Sequence, residues 1–145
     1  MRNELKTILY CRSAAPNDEA IEWQEKMLRD YANEHGYNNI SVYADNGFSG
    51  MNFNRPAFAR MVEDIKAGAV GAVLAKDTSR ISRNMFALHD WLNGVQREGV
   101  LFVSVIDGVD SNSIADTHSE MIRLFEEYCA KQRKRPRRNS VISTT

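Results

Sequence analysis

Short apolar segments alternate with longer amphipathic segments along most of this 145-residue sequence. Compact runs of aliphatic and β-branched residues, bounded by polar or turn-forming residues, are typical of strands in a parallel sheet. They predict strands over Leu5–Cys11, Ile40–Ala44, Val70–Ala75 and Val100–Ile106. Apolar residues at helical spacing predict helices over about 18–35, 56–67 and 84–97, and a longer, more polar helix over 113–134. This alternation indicates an α/β fold with a mainly parallel sheet of four or five strands.

Residues that begin or end helices support these boundaries. Asn17 or Asp18 can accept hydrogen bonds from the first N–H groups of the first helix, and Gly36 is suited to ending it. Pro56 favours the first turn of the second helix, because its φ angle is already helical. Asp45–Gly50 contains Asn and two glycines, which predicts a loop between the second strand and that helix.

The composition is that of an ordinary single-domain globular protein. Hydrophobic residues make up 43% and charged residues 26% of the chain. No apolar run approaches the ~20 residues that cross a bilayer. No signal peptide is visible and two cysteines are too few for a disulfide framework, so we expect a cytoplasmic protein without membrane contact. The three histidines are scattered, so we expect no metal site.

The net charge of zero conceals an uneven distribution of charge. Residues 131–145 hold no acidic residue, and the other 130 residues keep 13 of the 19 basic residues against all 19 acidic ones, a net charge of −6. A basic end favours a polyanionic partner such as DNA, although a short solubilising end gives the same pattern. We expect residues 135–145 to lack regular structure. The residues predicted to contact DNA are Lys131, Arg133, Lys134, Arg135, Arg137 and Arg138.

Polar and charged residues follow three of the predicted strands at the point where each strand ends. Arg12 and Ser13 follow the first strand, Asp45 follows the second, and Arg80 and Arg83 follow the third. Ligand sites of parallel sheets lie at the carboxyl ends of the strands, so we expect these side chains to meet at one edge. Arginine binds phosphate oxygens in pairs through its planar fork. The pattern predicts a phosphate-binding edge, with a solvated basic loop as the alternative.

Five short motifs follow one another along the same stretch of sequence. They are Tyr10-Cys11-Arg12, Gln24, the loop Asp45–Gly50, Arg55 before Pro56, and Arg80–Asn84. Together they resemble the catalytic domain of the serine recombinases, the resolvase and invertase family. The resemblance extends over roughly residues 5–130 and is closest to recombinases of conjugative elements and phages.

The resemblance implies a three-layer, resolvase-like core over residues 1–112 and a long helix over 113–134 that dimerises and contacts DNA. It implies site-specific recombination, in which a serine hydroxyl attacks a DNA phosphodiester, forms a 5′-phosphoserine link and reverses the reaction within a tetramer. That link retains the bond energy, so no cofactor is implied. The implied roles are a phosphate clamp for Arg12, Arg80 and Arg83, added charge or support of the clamp for Arg55, orientation of an arginine for Asp45, and a hydrogen bond to the site for Gln24.

The sequence departs from the family pattern at the nucleophile. The family serine lies two residues after the first-strand arginine, on the same face of the strand, and here that residue is Ala14. Ser13 is the candidate nucleophile instead, but it faces the other way unless the strand ends or bulges at Arg12. Substitute nucleophiles near the motifs, in positions more typical of turn caps or phosphate contacts, are Ser49, Ser79 and Ser82.

Two other functions stay open on the sequence. One is a catalytically degenerate, recombinase-like protein that dimerises and binds DNA as an accessory factor, including in mixed oligomers with an active recombinase. The other is an unrelated phosphate-binding α/β protein. It is disfavoured because there is no glycine-rich loop between a strand and a helix, and because Cys11 lacks the downstream arginine of a cysteine phosphatase.

Overall fold

The computed structural model describes residues 5–111, 120 and 123–131 of the chain. Its strands are β1 (Lys6–Ser13), β2 (Ile40–Asn46), β3 (Val70–Ala75), β4 (Leu101–Ser104) and β5 (Val109–Asp110). They form one sheet in the order β2-β1-β3-β4-β5, in which the first four run parallel and β5 is antiparallel to β4. The helices are α1 (Asp18–Glu34), α2 (Pro56–Lys66) and α3 (Met85–Arg97). Residues 123–131 are helical as well.

The predicted α/β fold with a mainly parallel sheet is confirmed, and the strands differ from the prediction in their ends. The bounds of β3 are those predicted, whereas β1 extends two residues past Cys11. β4 is shorter than predicted because the chain turns after Ser104, whose carbonyl accepts from the Gly108 amide at 3.0 Å. Of the predicted helix 113–134, the described residues 120 and 123–131 are helical, and the predicted tail 135–145 lies outside the described residues.

Two hydrophobic cores, one on each face of the sheet, produce three layers. Successive residues of β1 alternate between these cores, as the pleat of a strand requires. Ile8 and Tyr10 pack with α2 and α3, whereas Leu9 and Cys11 pack with α1. All four side chains are fully buried, and each aliphatic one contributes about 1.5–3 kcal/mol by leaving water. Position along β1 therefore decides which side of the sheet a residue faces.

Side chains cap the helices, and one cap belongs to the carboxyl edge of the sheet. The Asn17 side chain accepts from the Ala20 amide at 3.1 Å, and the chain leaves α1 through Gly36 at φ 76°, as predicted. At α2 the preceding residue, Arg55, makes no side-chain cap. The carboxylate of Asp45, at the end of β2, accepts from the first amides of α2 instead. This cap fixes the start of α2 against the strand ends.

Candidate functional site

Four arginines gather at the carboxyl edge of the sheet, where the sequence predicts them. Arg12 lies near the end of β1, and Arg55 directly precedes α2. Arg80 ends a 3-10 turn, Thr78–Arg80, that follows β3, and Arg83 comes three residues later. The structure buries the first two, half-buries Arg80 and leaves Arg83 exposed. Sequence reasoning placed these side chains at one edge but did not separate the buried pair from the accessible pair.

Arg12 joins its strand to two loops through backbone carbonyls. Its Nε donates to the carbonyl of Arg80 at 3.0 Å, one terminal nitrogen to that of Phe48 at 2.9 Å, and the other to that of Ser79 at 2.6 Å. The side chain is fully buried. A buried guanidinium is stable only when its N–H groups have partners, and here the partners are backbone oxygens. Arg12 therefore positions the turn after β3.

The four arginines oppose one another electrostatically. Burial, together with the charges of Arg55, Arg80 and Arg83, lowers the pKa of Arg12 to about 10. The guanidinium still carries its charge at neutral pH, because that value lies well above 7. Near Arg80, burial acts to raise the pKa of Asp77, but the Ser79 hydrogen bond and the Arg80 charge outweigh it and hold that pKa below its usual value. The edge thus concentrates positive charge.

Arg55 supports the same turn from the other side. It donates to the carbonyls of Arg80, at 2.9 Å, and of Ile81. Its guanidinium lies 4.9 Å from the ring centroid of Phe58 and 5.4 Å from that of Phe53, within the range of cation–π attraction. Arg55 is buried, so its contacts hold the turn in place rather than face a ligand. Of the two roles that the resemblance implies for Arg55, these contacts favour support of the clamp.

Asp45 reaches an arginine through a tyrosine. Its two oxygens accept from the amides of Ala57 and Phe58, both at 2.9 Å, and from the Tyr10 hydroxyl at 2.7 Å. That hydroxyl in turn accepts from Arg55 at 3.2 Å. Burial raises the pKa of Tyr10, so its hydroxyl keeps the proton that it donates. Orientation of an arginine by Asp45 was expected, and the described contact is indirect.

Gln24 and Arg80 meet at the backbone of Arg12. The Gln24 side chain accepts from the Arg12 amide at 3.0 Å and donates to its carbonyl at 2.9 Å. The same carbonyl accepts from Arg80 at 2.7 Å. Arg80 also approaches Asp77, with Nε 3.4 Å from Oδ1. The hydrogen bond expected of Gln24 is therefore present, and it fixes the strand end beside Arg80.

Ser13 lies on the face of β1 opposite Arg12. Pairing with β2 continues without a break through Arg12 and Ser13, so the suggestion that the strand ends or bulges at Arg12 is wrong. The reason is that the Ser13 carbonyl accepts from the amides of Gly47, at 2.7 Å, and Phe48, at 3.0 Å, which holds the strand straight. The Ser13 hydroxyl donates to the Ala15 carbonyl at 2.6 Å. In this conformation it faces the α1 side of the sheet, away from the arginines.

The other candidate hydroxyls stabilise turns. The Ser49 oxygen accepts from the Met51 amide at 3.0 Å, and Ser79 donates to Asp77 at 2.5 Å. Ser82 accepts from the amide of Asn84 at 3.0 Å. Local bonds of this kind are the ordinary use of serine at turns. These contacts agree with the turn-capping use that the sequence suggested for all three.

Two residues that the motifs contain, but that were given no role, belong to the site. Tyr10 links Asp45 to Arg55, and because it lies two residues before Arg12 on one face of β1, strand periodicity could have identified it. Gly50 packs directly on the buried arginine: a Cβ there would lie 2.6 Å from a terminal nitrogen of Arg12. The sequence offered no signal for this contact, because it joins residues that are distant along the chain.

Arg83 borders an open cleft of about 320 Å³ at this edge. Its amide donates to the Gly50 carbonyl at 2.9 Å, while its side chain is exposed. The cleft is shared with hydroxyls of the turn after β3 and with the start of α3; its other lining residues are Thr78, Ser79, Ser82, Met85 and Leu88. Arg83 brings an exposed guanidinium to this cleft, whereas the hydroxyls of Ser79 and Ser82 already donate to Asp77 and to the Asn84 carbonyl.

Of the residues predicted to contact DNA, Lys131 belongs to the described part of the chain. Lys131 is exposed at the end of the described helical residues. Leu124, Phe125 and Tyr128 on the same helix are also exposed, and the Phe125 ring meets that of Phe86 at 6.3 Å between centroids. The other residues predicted to contact DNA lie outside the described residues; they are Arg133, Lys134, Arg135, Arg137 and Arg138.

Two further expectations concern metals and membranes. Among residues 5–111, 120 and 123–131, no group of three or more His, Cys, Asp or Glu side chains is placed to hold a metal ion. Within the same ranges, the helices are too short or too polar to cross a membrane.

Comparison with known proteins identifies the family. Residues 7–142 match the family model described as "Resolvase, N terminal domain". The N-terminal catalytic domain of TP901-1 integrase superposes with a TM-score of 0.75 at 25% identity, covering 88% of this chain and 98% of that domain. A resolvase family site-specific recombinase from Streptococcus pneumoniae superposes with a TM-score of 0.71 at 30% identity, covering 88% of this chain and 92% of that one.

A curated protein of Bacillus subtilis (strain 168), provisionally named a DNA recombinase, is 40% identical over 50 residues. That alignment covers 34% of this chain but only 10% of the relative, so the relative is far longer than the region it shares. The family match covers nearly the whole chain, and the two superposed structures cover 88% of it. The chain therefore belongs to the resolvase family of serine recombinases and has the fold of their catalytic domain.

Proposed function

We propose that this chain holds a DNA phosphodiester at the carboxyl edge of its sheet and takes part in site-specific recombination. The observation that carries the proposal is that Arg12, Arg55, Arg80 and Arg83 lie together at one edge. Among the described residues, these four arginines form one direct ion pair with a carboxylate, Arg80–Asp77. Like charges held together raise one another's energy, and a polyanion relieves that repulsion. DNA supplies such an anion at every nucleotide.

The proposed roles of the four arginines differ with their burial. Exposed Arg83 and half-buried Arg80 can reach the phosphate oxygens, whereas Arg12 and Arg55 fix the turn that carries Arg80. The positions of fixed charges then change little when DNA binds, which favours stabilisation of charge developing on a phosphoryl group. Further phosphate contacts from Lys131 and the basic residues beyond it would add affinity that falls steeply with salt.

In the cleaving form of the proposal, Ser13 is the nucleophile. Its oxygen would lose its proton and form a bond to phosphorus while the bond to the 3′ oxygen breaks, and that oxygen would take up a proton, leaving a 5′-phosphoserine and a free 3′-hydroxyl. The reverse attack would reseal the exchanged strands, with no cofactor. For this, the Ser13 hydroxyl must leave the Ala15 carbonyl, and the end of β1 must twist toward the Arg12 face.

A second form of the proposal is a recombinase fold that holds DNA without cutting it. Two observations favour it: Ala14 has no hydroxyl, and Ser13 faces away from the arginines at the end of an unbroken strand. The described geometry supports this form better. The chain would then act as an accessory factor, alone or in mixed oligomers with an active recombinase.

Association through the helix predicted over 113–134 is part of both forms. Leu124, Phe125 and Tyr128 are exposed on its described part, where a second copy of the helix could bury them. We propose a homodimer in solution and a tetramer when two DNA sites are joined. Sedimentation of the purified chain tests the dimer: a monomer at all concentrations would count against this arrangement.

Covalent trapping separates the two forms. The wild-type chain, Ser13→Ala and Ala14→Ser are incubated with supercoiled and nicked DNA from the protein's own genomic neighbourhood, and adducts are separated on a denaturing gel. A wild-type adduct that maps to Ser13 and is lost in Ser13→Ala would establish cleavage. An adduct made only by Ala14→Ser would establish the non-cleaving form. An adduct on another serine would refute the assignment of Ser13.

A further inference from the structure

The loop between β2 and α2 carries an apolar side chain at its apex, beside the arginine cluster. Met51 is 63% exposed, the largest exposed fraction among the bulky hydrophobic side chains of the described residues. Its neighbours Ser49 and Asn52 are polar and exposed. The preceding residue, Gly50, is buried against Arg12 and bonded to the amide of Arg83. Met51 therefore projects from the point at which the loop contacts the phosphate-binding arginines.

The apex is held from both sides. Before it, the Gly50 carbonyl accepts from Arg83 at 2.9 Å, and the Met51 amide donates to Ser49 at 3.0 Å. After it, the Asn52 carbonyl accepts from Arg55 at 3.1 Å. The backbone amide of Arg83 and the side chain of Arg55 thus fix the residues on either side of Met51. An exposed apolar side chain on such an anchored turn is presented in one place, which lowers the entropy lost when it binds.

Single exposed apolar residues are common on protein surfaces and need no explanation by themselves. Met51 differs in its position rather than in its exposure. It directly follows Gly50, whose carbonyl accepts from the Arg83 backbone amide and whose backbone packs against the Arg83 side chain, since a Cβ on Gly50 would lie 3.0 Å from Arg83 Cγ. The Met51 and Arg83 side chains therefore leave neighbouring points of the backbone, and both are exposed. A DNA strand whose phosphate is bound by Arg83 would pass beside Met51.

We propose that Met51 makes an apolar contact with DNA in the minor groove, next to the phosphate that Arg83 binds. The inference rests on the proposed function, because it requires DNA at this edge. DNA is favoured as the occupant because the surrounding charge is positive, and apolar side chains, methionine included, commonly pack between or along base steps in the minor groove. The unbranched, polarizable thioether of methionine adapts to such irregular surfaces. Arg83 would thus anchor the backbone, and Met51 would position the adjacent step.

Salt-dependent binding distinguishes the two contacts. Affinity for a fluorescent duplex of mixed sequence is measured over a series of salt concentrations for the wild-type chain, Met51→Ser, Met51→Leu and Arg83→Gln. Ile106→Ser is the matched control, since Ile106 is 55% exposed on a different turn. We expect Arg83→Gln to weaken binding and reduce the salt slope by about one. We expect Met51→Ser to weaken binding roughly threefold to tenfold with an unchanged slope, because an apolar contact releases no counterions.

The remaining variants decide the interpretation. Met51→Leu should bind like the wild type, and all variants should keep the wild-type Tm because the substituted side chains are exposed. If Met51→Ser binds like Ile106→Ser and the wild type, or if it changes the salt slope as Arg83→Gln does, the Met51 contact is refuted while DNA binding stands. If the wild-type chain shows no salt-dependent binding to any duplex, the proposed function itself fails and this inference fails with it.

Discussion

The two ends of β1 carry polar clusters of opposite character. At its amino end, Lys6 lies 3.1 Å from the Tyr43 hydroxyl and 3.3 Å from the Asp64 carboxylate, and Tyr43 donates to the same carboxylate. One positive and one negative group, Lys6 and Asp64, pair directly there, and Arg60 adds a second positive charge that acts on the same carboxylate. At the carboxyl end four arginines meet, and among the described residues only Asp77 pairs directly with one of them.

The difference shows how a structural cluster can be told from a candidate site. Both clusters join β1 to β2 and α2, so joining elements does not require surplus charge. The amino-end triad does this with matched partners. At the carboxyl edge, burial first and then repulsion from Arg55, Arg80 and Arg83 lower the pKa of Arg12. Like-charged side chains held close together destabilise the folded state. Such clusters occur most often at functional sites, where an oppositely charged ligand offsets the repulsion.

The largest effect is expected from Arg12→Met, which removes the buried hub of the charged cluster. The carbonyls of Phe48 and Ser79 lose the donor that Arg12 supplies, and the Arg80 carbonyl loses one of its two donors but keeps Arg55. Each loss costs about 1 kcal/mol or more, and relief of the repulsion between arginines offsets only part of it, so we expect about 3 kcal/mol less stability. Urea unfolding measures this change.

Arg83→Gln is the matched control for Arg12→Met, because exposed Arg83 belongs to the same cluster. It should change stability by less than about 0.5 kcal/mol while weakening DNA binding. Equal losses of stability in Arg12→Met and Arg83→Gln would contradict the distinction between a buried, structural arginine and an exposed, DNA-binding one.

A smaller effect is expected from Asp45→Ala, which removes the cap of α2 and the partner of Tyr10. The amides of Ala57 and Phe58 lose their acceptor, and a buried phenol loses the oxygen to which it donates. Together these losses should destabilise the fold by about 2 kcal/mol. Asp45→Asn should lose less, since an amide oxygen still caps a helix. Thermal unfolding of the two variants checks this order, and a larger loss in Asp45→Asn would show that the negative charge matters more than the cap.

The fold was predictable because its information is local. The apolar run Val70–Ala75 gave the bounds of β3, and Asn17, Gly36 and Pro56 marked helix ends through their own backbone and side-chain preferences. The short strand β5 carries little such signal, because its two residues are paired with β4 through a turn rather than identified by a hydrophobic pattern.

The site was predictable only in part. Parallel strands place their carboxyl ends together, so the meeting of Arg12 with Arg80 follows from the fold class. Their carbonyl partners do not, because those bonds join residues far apart in sequence and depend on the course of the loops. At Ser13 the simple alternation of a strand was the better guide, and the bulge suggested there is absent because Gly47 and Phe48 bind its carbonyl.

The smallest effect is expected at the amino end of β1. The hydrogen bond from Tyr43 is the main cause that holds the pKa of Asp64 below its ordinary value of 3.8, against an opposing effect of burial. A lowered folded-state pKa stabilises the protein above the unfolded value, and this contribution is lost as the pH falls through the folded value. The pair is close to solvent, so Asp64→Asn should lose less than about 1 kcal/mol at neutral pH.

Lowering the pH should therefore reduce the difference in the free energy of unfolding between the wild type and Asp64→Asn. Urea unfolding at about pH 6 and about pH 3 should show the gap between wild type and Asp64→Asn narrowing at the lower pH. DNA affinity should be unchanged in Asp64→Asn, because the triad lies at the opposite end of the strand from the arginines. A gap that widened in acid would reverse the assigned sign of the pKa shift. Weakened DNA binding, as expected of Arg83→Gln, would mean that the amino end of β1 is more than a structural junction.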